Sequence, residues 1–438
     1  MKHIIIGIGA AAVSAARTIL KEKPDDSIVI VSEDTEVYSR CMLHKFISGE
    51  RSAESLNFIN DDLPANKNIR WVKGKTVTRL DAGTKTVYSG GEEIASGDTV
   101  LIATGSVSVT PPIGELKTAK NVFGLRHLSD ARAIADCAKT AKKVAVIGAG
   151  LVGLDAVYGL LESGGGQEIT VIEMMPTALA VNLDARAAEA YQGLFEKHGV
   201  KFRLSSKVVN TKSDGQGNVT AVELEGGTSI PCGMVILAVG VRPATAFLAA
   251  GNPDPRTGGA PPESGVAPNS NGVASNSNGV ELTERKAVKV DDCLATNIPG
   301  IYAAGDAAGL SGVWPNAQKQ GEIAGYNMTG TQWPYTDRFA LKNTVNFFGL
   351  LSLALGDIKP REGDEVLVRE DRNNYRKLIL RDGAAAGVIL QGEIGGSGFW
   401  QHLIKNKIRI DGLGKSPWKI SYADFYGVTD NGEYRYVV

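Results

Sequence analysis

The 438-residue chain is poor in cysteine: it has only Cys41, Cys137, Cys232 and Cys293, with no CxxC and no close pair. That argues against an iron–sulfur or zinc site made from this chain's own thiols, and against a disulfide framework; a reducing, cytosolic setting fits best. An excess of one charge is also lacking. The formal net charge is −1, so no basic field points to nucleic acid or anionic lipid. The five histidines are scattered, and no metal is expected. No apolar run approaches the roughly 20 residues that span a bilayer; the longest lies around residues 347–355. Met1-Lys2-His3 leads straight into Ile4-Ile5-Ile6. No signal peptide is therefore expected, and the chain reads as soluble and cytoplasmic.

What the chain does have is a duplicated glycine turn. Residues 2–7 read as a buried strand, followed by Gly7-Ile8-Gly9-Ala10-Ala11-Ala12, a helix through residue 21 and a strand over 27–31. Residues 142–147 lead in the same way into Gly148-Ala149-Gly150-Leu151-Val152-Gly153, a helix to about 161 and a strand over 168–172. Apolar runs at 99–104 and 234–239 close the two units. Each unit is a βαβ arrangement, so the expected class is α/β, with two doubly wound parallel sheets. The repeat is of whole domains and not of a short solenoid motif, and this length is a fair match to two to four domains.

The turns carry their own chemistry. Gly7 permits the tight bend, Gly9 lets backbone approach a pyrophosphate, and Ala12 is small enough for helix–sheet contact. Peptide N–H groups at the helix start receive the anion. Glu33, with Asp34 beside it, supplies the acid expected after the second strand. In the second unit Gly148, Gly150 and Gly153 fill all three slots, and Glu173 ends the strand. A carboxylate there accepts from both ribose hydroxyls and repels a 2′-phosphate, and Met174-Met175-Pro176 brings no cation, so NADH is expected over NADPH. Two dinucleotides in one chain point to hydride transfer between them.

From residue 252 to 279 the chain is rich in Gly, Pro, Ser and Asn, and cannot bury enough apolar surface to offset its ordering entropy. It reads as a surface insertion, 251–282, or as an arm that orders against a partner. Beyond 335 the pattern turns to antiparallel strands over 365–370, 375–380 and 386–391, with Asp382-Gly383 as a hairpin turn, then a helix around 399–407. This is a separate α+β region. Residues 421–438 hold Tyr422, Phe425, Tyr426, Tyr434 and Tyr436, a composition that suits an interface or packing on the chain's own last domain.

These motifs together resemble the FAD/NAD-dependent pyridine nucleotide oxidoreductases. Ala103-Thr104-Gly105 is similar to the family's ATG strand end, Val239-Gly240-Val241-Arg242-Pro243 to its GxRP segment, and Thr296 through Asp306 to its second flavin motif. Trp314, Ala317, Gln320 and Gly321 resemble the helix that follows. The resemblance implies an FAD-binding domain (1–112 and 283–330) interrupted by an NAD-binding domain (113–250), then a C-terminal interface domain (331–438). It implies FAD contacts by Gly7, Gly9, Ala12, Glu33, Arg40, Thr104, Gly105, Asp306 and Trp314, and NAD contacts by Gly148, Gly150, Gly153, Glu173 and Gly240.

The segment Tyr38-Ser39-Arg40-Cys41-Met42-Leu43-His44-Lys45 resembles two subfamilies. In rubredoxin and ferredoxin reductases the Arg meets the pyrophosphate and the Lys lies by the flavin, which would make Lys45 catalytic; Cys41 stands where Pro is usual. In NADH oxidases and coenzyme A disulfide reductases the Cys is a redox thiol, which would make Cys41 catalytic. Met42 departs from the second pattern, and no His occupies 9–12. Asp155 stands where relatives carry a Glu on the nicotinamide side, and is equally an ordinary helix carboxylate. Lys45 is equally a solvated surface lysine.

The first subfamily implies an NADH-linked flavoprotein exchanging electrons with an iron–sulfur protein. The chain also resembles the FAD-containing NAD-linked subunits of tungsten aldehyde oxidoreductase and phenylglyoxylate dehydrogenase, which implies a multi-subunit complex. The alternatives are a Cys41-dependent disulfide, persulfide or oxygen reductase, and an NADH-sensing binding module.

Overall fold

The computed structural model describes residues 1–248, 274–275, 279–339 and 343–436, so most of the expected insertion lies outside the described residues. Two parallel sheets dominate. In the first, five strands lie in the order Ile301–Ala303, Thr99–Ile102, Lys2–Ile6, Ser27–Ser32, Ile69–Lys73. In the second the order is Lys201–Arg203, Glu168–Ile172, Lys143–Ile147, Met234–Leu237, Val122–Phe123. All neighbours in both sheets run parallel. The near-continuous apolar runs follow from burial on both faces: Ile4, Ile5, Val100, Leu101 and Ile102 are fully buried, as are Ala145, Val146, Val235 and Ile236.

The first sheet takes its edge strand Ile301–Ala303 from beyond the second sheet, so the chain leaves the first unit and returns to it. The outgoing and returning chains pair antiparallel, Ser106–Ser108 against Val241–Pro243. The Thr104 hydroxyl donates to the Ala244 carbonyl at 2.8 Å and reinforces that ribbon. Helix Ala10–Glu22 packs on helix Trp314–Met328 through small residues. A Cβ on Gly321 would lie 2.0 Å from the Ala11 carbonyl oxygen, which fixes why glycine stands there.

The C-terminal region is a five-stranded antiparallel sheet, Asn343–Phe347, Leu350–Gly356, Ala384–Gln391, Tyr375–Arg381 and Glu365–Glu370 in that order. Periodicity revealed three of these strands. Of the two others, Leu350–Gly356 lies in the apolar stretch around 347–355 and Asn343–Phe347 ends where that stretch begins, at a tight turn of Phe348 (φ 53°) and Gly349 (φ 80°). Asp382 (φ 51°) and Gly383 (φ 77°) form the expected hairpin turn. One face of the sheet packs on helix Ser397–Asn406 around Leu378, Val388 and Leu403. The other docks on helix Ala185–Lys197, whose buried Tyr191 hydroxyl reaches the Val345 and Leu350 carbonyls and Ser352. No described helix is long and apolar enough to cross a membrane.

Candidate functional site

Both glycine turns sit at carboxyl ends of parallel strands, where doubly wound sheets bind ligands. Gly7 has φ 113°, and a Cβ on it would lie 2.3 Å from the Ala103 carbonyl oxygen; Gly148 has φ 107°, and the corresponding distance to Ala238 is 2.4 Å. Gly9 and Gly150 start the two helices, with nothing within 4 Å of an added Cβ. Each turn therefore presents open backbone N–H groups at a helix start, the form an anion needs.

In front of the first turn lies a long cavity. Its lining includes Gly7, Gly9, Glu33, Arg40, Cys41, Thr104, Gly105, Asp306 and Trp314. The cavity thus gathers nearly all the residues assigned to FAD, from six separate stretches of chain. Ala12 lies behind the turn, fully buried. Lys45 is not among the lining residues. It pairs with Glu50 and lies 5.8 Å from the Tyr158 ring.

Arg242 of the GxRP segment also lines the cavity, as do Arg126 and Lys75, which were not singled out from the sequence. Arg126 is the notable addition. Its guanidinium donates to Asp306 at 2.7 Å and to the Ser106 carbonyl at 3.1 Å, while the Ser106 hydroxyl donates to the same Asp306 oxygen at 2.7 Å. Burial draws the Arg126 pKa down and Asp306 opposes that. Arg40 pairs with Asp34 at 2.8 Å and donates to the Arg126 carbonyl at 2.7 Å. The Tyr38 hydroxyl donates to Asp34 at 2.6 Å. Burial raises the Asp34 pKa, but His127, Arg40 and Tyr38 outweigh it and hold the carboxyl below its usual range.

At the second turn, Glu173 uses both oxygens: one accepts from the Ala149 N–H and the other from the Met175 N–H, each at 2.8 Å. Exposed Met174, Met175, Val239 and Val241 surround the strand ends. Gly240 (φ 115°) has open space before it. Gly153 supports the turn from behind; a Cβ there would lie 2.0 Å from the Gly148 carbonyl oxygen.

The two turns meet through one helix contact. Cys41 sits in the helical turn Arg40–Met42, which continues into helix Leu43–Ile47. That helix packs on Leu151–Glu162, the helix that starts at the second turn. At Gly159 a Cβ would come 2.7 Å from the His44 carbonyl oxygen. Asp155, one turn earlier, lies 3.7 Å from His44 Nδ1. Burial pushes the Asp155 carboxyl up to about 7, with Lys45 pulling the other way, and burial lowers His44 to about 4. Cys41 is exposed and lines the cavity. Burial raises its thiol pKa, Asp155 adds to the rise, and Arg126 opposes it. No cluster of His, Cys, Asp and Glu fit to hold a metal occurs among the described residues.

A match to the pyridine nucleotide-disulphide oxidoreductase family covers residues 1–259 and 263–321. A second match, to the rubredoxin NAD+ reductase C-terminal domain, covers 342–408. The chain is 28% identical over 398 residues to the nitrite reductase [NAD(P)H] of Bacillus subtilis, spanning 89% of this chain but 45% of that protein. It is 27% identical over 432 residues to the NADH-dependent phenylglyoxylate dehydrogenase subunit epsilon of Aromatoleum evansii, covering 94% of this chain and 93% of that one. Among solved structures, the NAD-dependent persulfide reductase from A. fulgidus superimposes with a TM-score of 0.77 at 24% identity, over 94% of this chain and 78% of that one. The chain belongs to the pyridine nucleotide-disulphide oxidoreductase family, and its cofactors are FAD and NAD(H).

Proposed function

We propose that this member of the family passes electrons between NADH and an iron–sulfur protein or subunit. One observation carries the reading. The helix that begins at the second glycine turn packs on helix Leu43–Ile47, which continues the turn whose Arg40 and Cys41 line the cavity of the first, so two nucleotides bound at these turns would meet at one junction. FAD, when bound, supplies the ability to take up a hydride and release electrons singly. The protein's residues orient and enclose. Gly7, Gly9 and the start of helix Ala10–Glu22 would hold a pyrophosphate, and Arg126, Asp306 and Trp314 line the same cavity. Glu173 selects a ribose with free hydroxyls. The match of the last sheet to the rubredoxin NAD+ reductase C-terminal domain supports an iron–sulfur acceptor. The full-length similarity to a dehydrogenase subunit supports a multi-subunit setting.

A second reading, a Cys41-dependent persulfide or disulfide reductase, is favoured by the position of Cys41 in the cavity wall. The two separate on one experiment. FAD-loaded protein is reduced with NADH and offered either a purified rubredoxin or ferredoxin, or a disulfide or persulfide. Turnover with the iron–sulfur protein that survives Cys41→Ser supports the first reading. Turnover with sulfur substrates alone, abolished by Cys41→Ser, overturns it.

A further inference from the structure

The antiparallel sheet of the last region ends in two unlike edges. One edge strand, Asn343–Phe347, lies against the second unit and gives its Val345 carbonyl to the Tyr191 hydroxyl at 3.1 Å. The other, Glu365–Glu370, pairs with Tyr375–Arg381 on one side, and no described strand pairs with its outer side. A free edge presents a row of unpaired N–H and C=O groups, and folded proteins commonly blunt it with lysine, proline or a bulge. This edge has none of the three. It reads Glu-Val-Leu-Val-Arg-Glu, and its pairs to the neighbouring strand run without a register shift. Val366 and Val368 stand 40% and 55% exposed on it, although β-branched side chains stabilise a strand by packing against cross-strand neighbours. Side chains alternate along the strand. Val366, Val368 and Glu370 share the face of Tyr375 and Lys377, whereas Glu365, Leu367 and Arg369 share the opposite face.

We propose that this edge is an interface with a second copy of the chain, the two Glu365–Glu370 strands pairing antiparallel about a two-fold axis at Leu367. The order of charges selects both the partner and the register. A two-fold axis perpendicular to the sheet keeps each face on its own side, so it must pass through a residue and not between two. At Leu367 it sets Glu365 opposite Arg369 of the other copy, and by symmetry does so twice. The same axis sets Leu367 opposite Leu367 on that face, and Val366 opposite Val368 on the other. An axis at Val366 sets Glu365 against Leu367. One at Val368 sets Val366 against Glu370, and one at Arg369 sets two arginines against each other. The axis at Leu367 alone joins opposite charges with each other and apolar groups with each other. Asp364 then faces Glu370, but each already has its own cation: Arg381 donates to Asp364 at 2.7 Å, and Arg186 pairs with Glu370. The pairing is independent of which acceptor the flavin serves.

The test is sedimentation velocity of the FAD-loaded full chain over a range of concentrations. A strand of 6 residues buries an area at the low end for a specific interface, so the wild-type dimer forms in the micromolar range and dissociates on dilution. Glu365→Arg and Arg369→Glu each turn two attractive pairs into two repulsive ones, and each weakens self-association by about tenfold or more. Flavin content and reduction by NADH stay at wild-type levels in both, which shows that they fold. Mixed in equal amounts, the two variants associate again, because the introduced arginine of one faces the introduced glutamate of the other while a native pair remains beside it. Damage to the fold of either variant could not be rescued in this way. A wild type that stays monomeric throughout, a dimer that both variants leave intact, or a mixture that associates no better than its components overturns the proposal.

Discussion

The two glycine turns are built alike at the backbone and differ in what surrounds them. Gly7 and Gly148 have φ values within a few degrees of each other and face the same kind of neighbour, an alanine carbonyl at the end of the next strand. The first turn opens on a cavity walled by paired charges. The second opens on exposed apolar side chains and keeps its acid, Glu173, bonded into the turn itself. Glu33, its counterpart in the first unit, is half exposed and bonds no backbone N–H among the described residues; its nearest charged neighbour is His127 at 3.6 Å. The difference teaches what each site is for. A cavity lined from several stretches of chain suits a cofactor that stays, and exposed strand ends suit a cofactor that arrives and leaves at each turnover.

The largest test of that contrast is Gly7→Ala against Gly148→Ala. Each puts a Cβ where a backbone carbonyl already stands, at a φ that costs an L-residue about 1–3 kcal/mol, before the clash is counted. Gly7→Ala is expected to purify without flavin, read from its absorbance spectrum. Gly148→Ala is expected to retain flavin but lose rapid reduction by NADH in stopped flow. Equal flavin loss in both would break the division of labour.

A smaller effect sharpens the role of the two acids. Glu173→Gln leaves one acceptor oxygen for two turn N–H groups and weakens the hold on ribose hydroxyls. Its KM for NADH should rise about tenfold, or roughly 1.4 kcal/mol, while discrimination against NADPH relaxes. Glu33→Gln, with no turn bond to lose, should leave NADH kinetics alone and alter flavin retention only slightly. A Glu173→Gln enzyme with unchanged KM for NADH would remove the acid from cofactor selection.

The contrast was only partly legible in the sequence. Glycine spacing, the strand before each turn and the acid after it are local patterns, so both units could be read to within a residue or two. The cavity wall is not local. Arg126 stands in an unremarkable stretch 180 positions from Asp306, and only the return of the chain from the second unit to the first brings the two together. For Lys45 the pattern suggested a place by the flavin; in the structure helix Leu43–Ile47 pairs it with Glu50, a contact five residues away that the pattern did not point to. The strands at either side of Phe348 and Gly349 were hidden because the second, Leu350–Gly356, runs on from Phe347-Phe348 as one apolar stretch and the turn between them holds a single glycine.

The smallest expected effect concerns how the two units are tied to the last domain. The second unit docks on the antiparallel sheet through uncharged groups around Tyr191, and through Asp184, which accepts from Tyr375 and Lys377 at 2.7 and 3.0 Å. Among the ties of the first unit to the last domain is one carboxylate: Asp337 bridges Lys319 of helix Trp314–Met328 and Lys405 of helix Ser397–Asn406. The hydrogen bond from Lys319, then that from Lys405, lowers the Asp337 pKa from 3.8 to about 2. A carboxyl depressed in the folded state contributes stability above its unfolded pKa and loses it as pH falls through the folded one. The tie is therefore complete at pH 7, weakens below about 4 and is gone below about 2. Because Asp337 is partly open to solvent, its contribution is about 1 kcal/mol. Thermal melts should place Asp337→Asn below the wild type at pH 7, with the gap narrowing as the pH falls from 4 toward 2. A gap that does not narrow would show that this tie rests on packing and not on charge, unlike the Asp184–Lys377 pair that anchors the second unit.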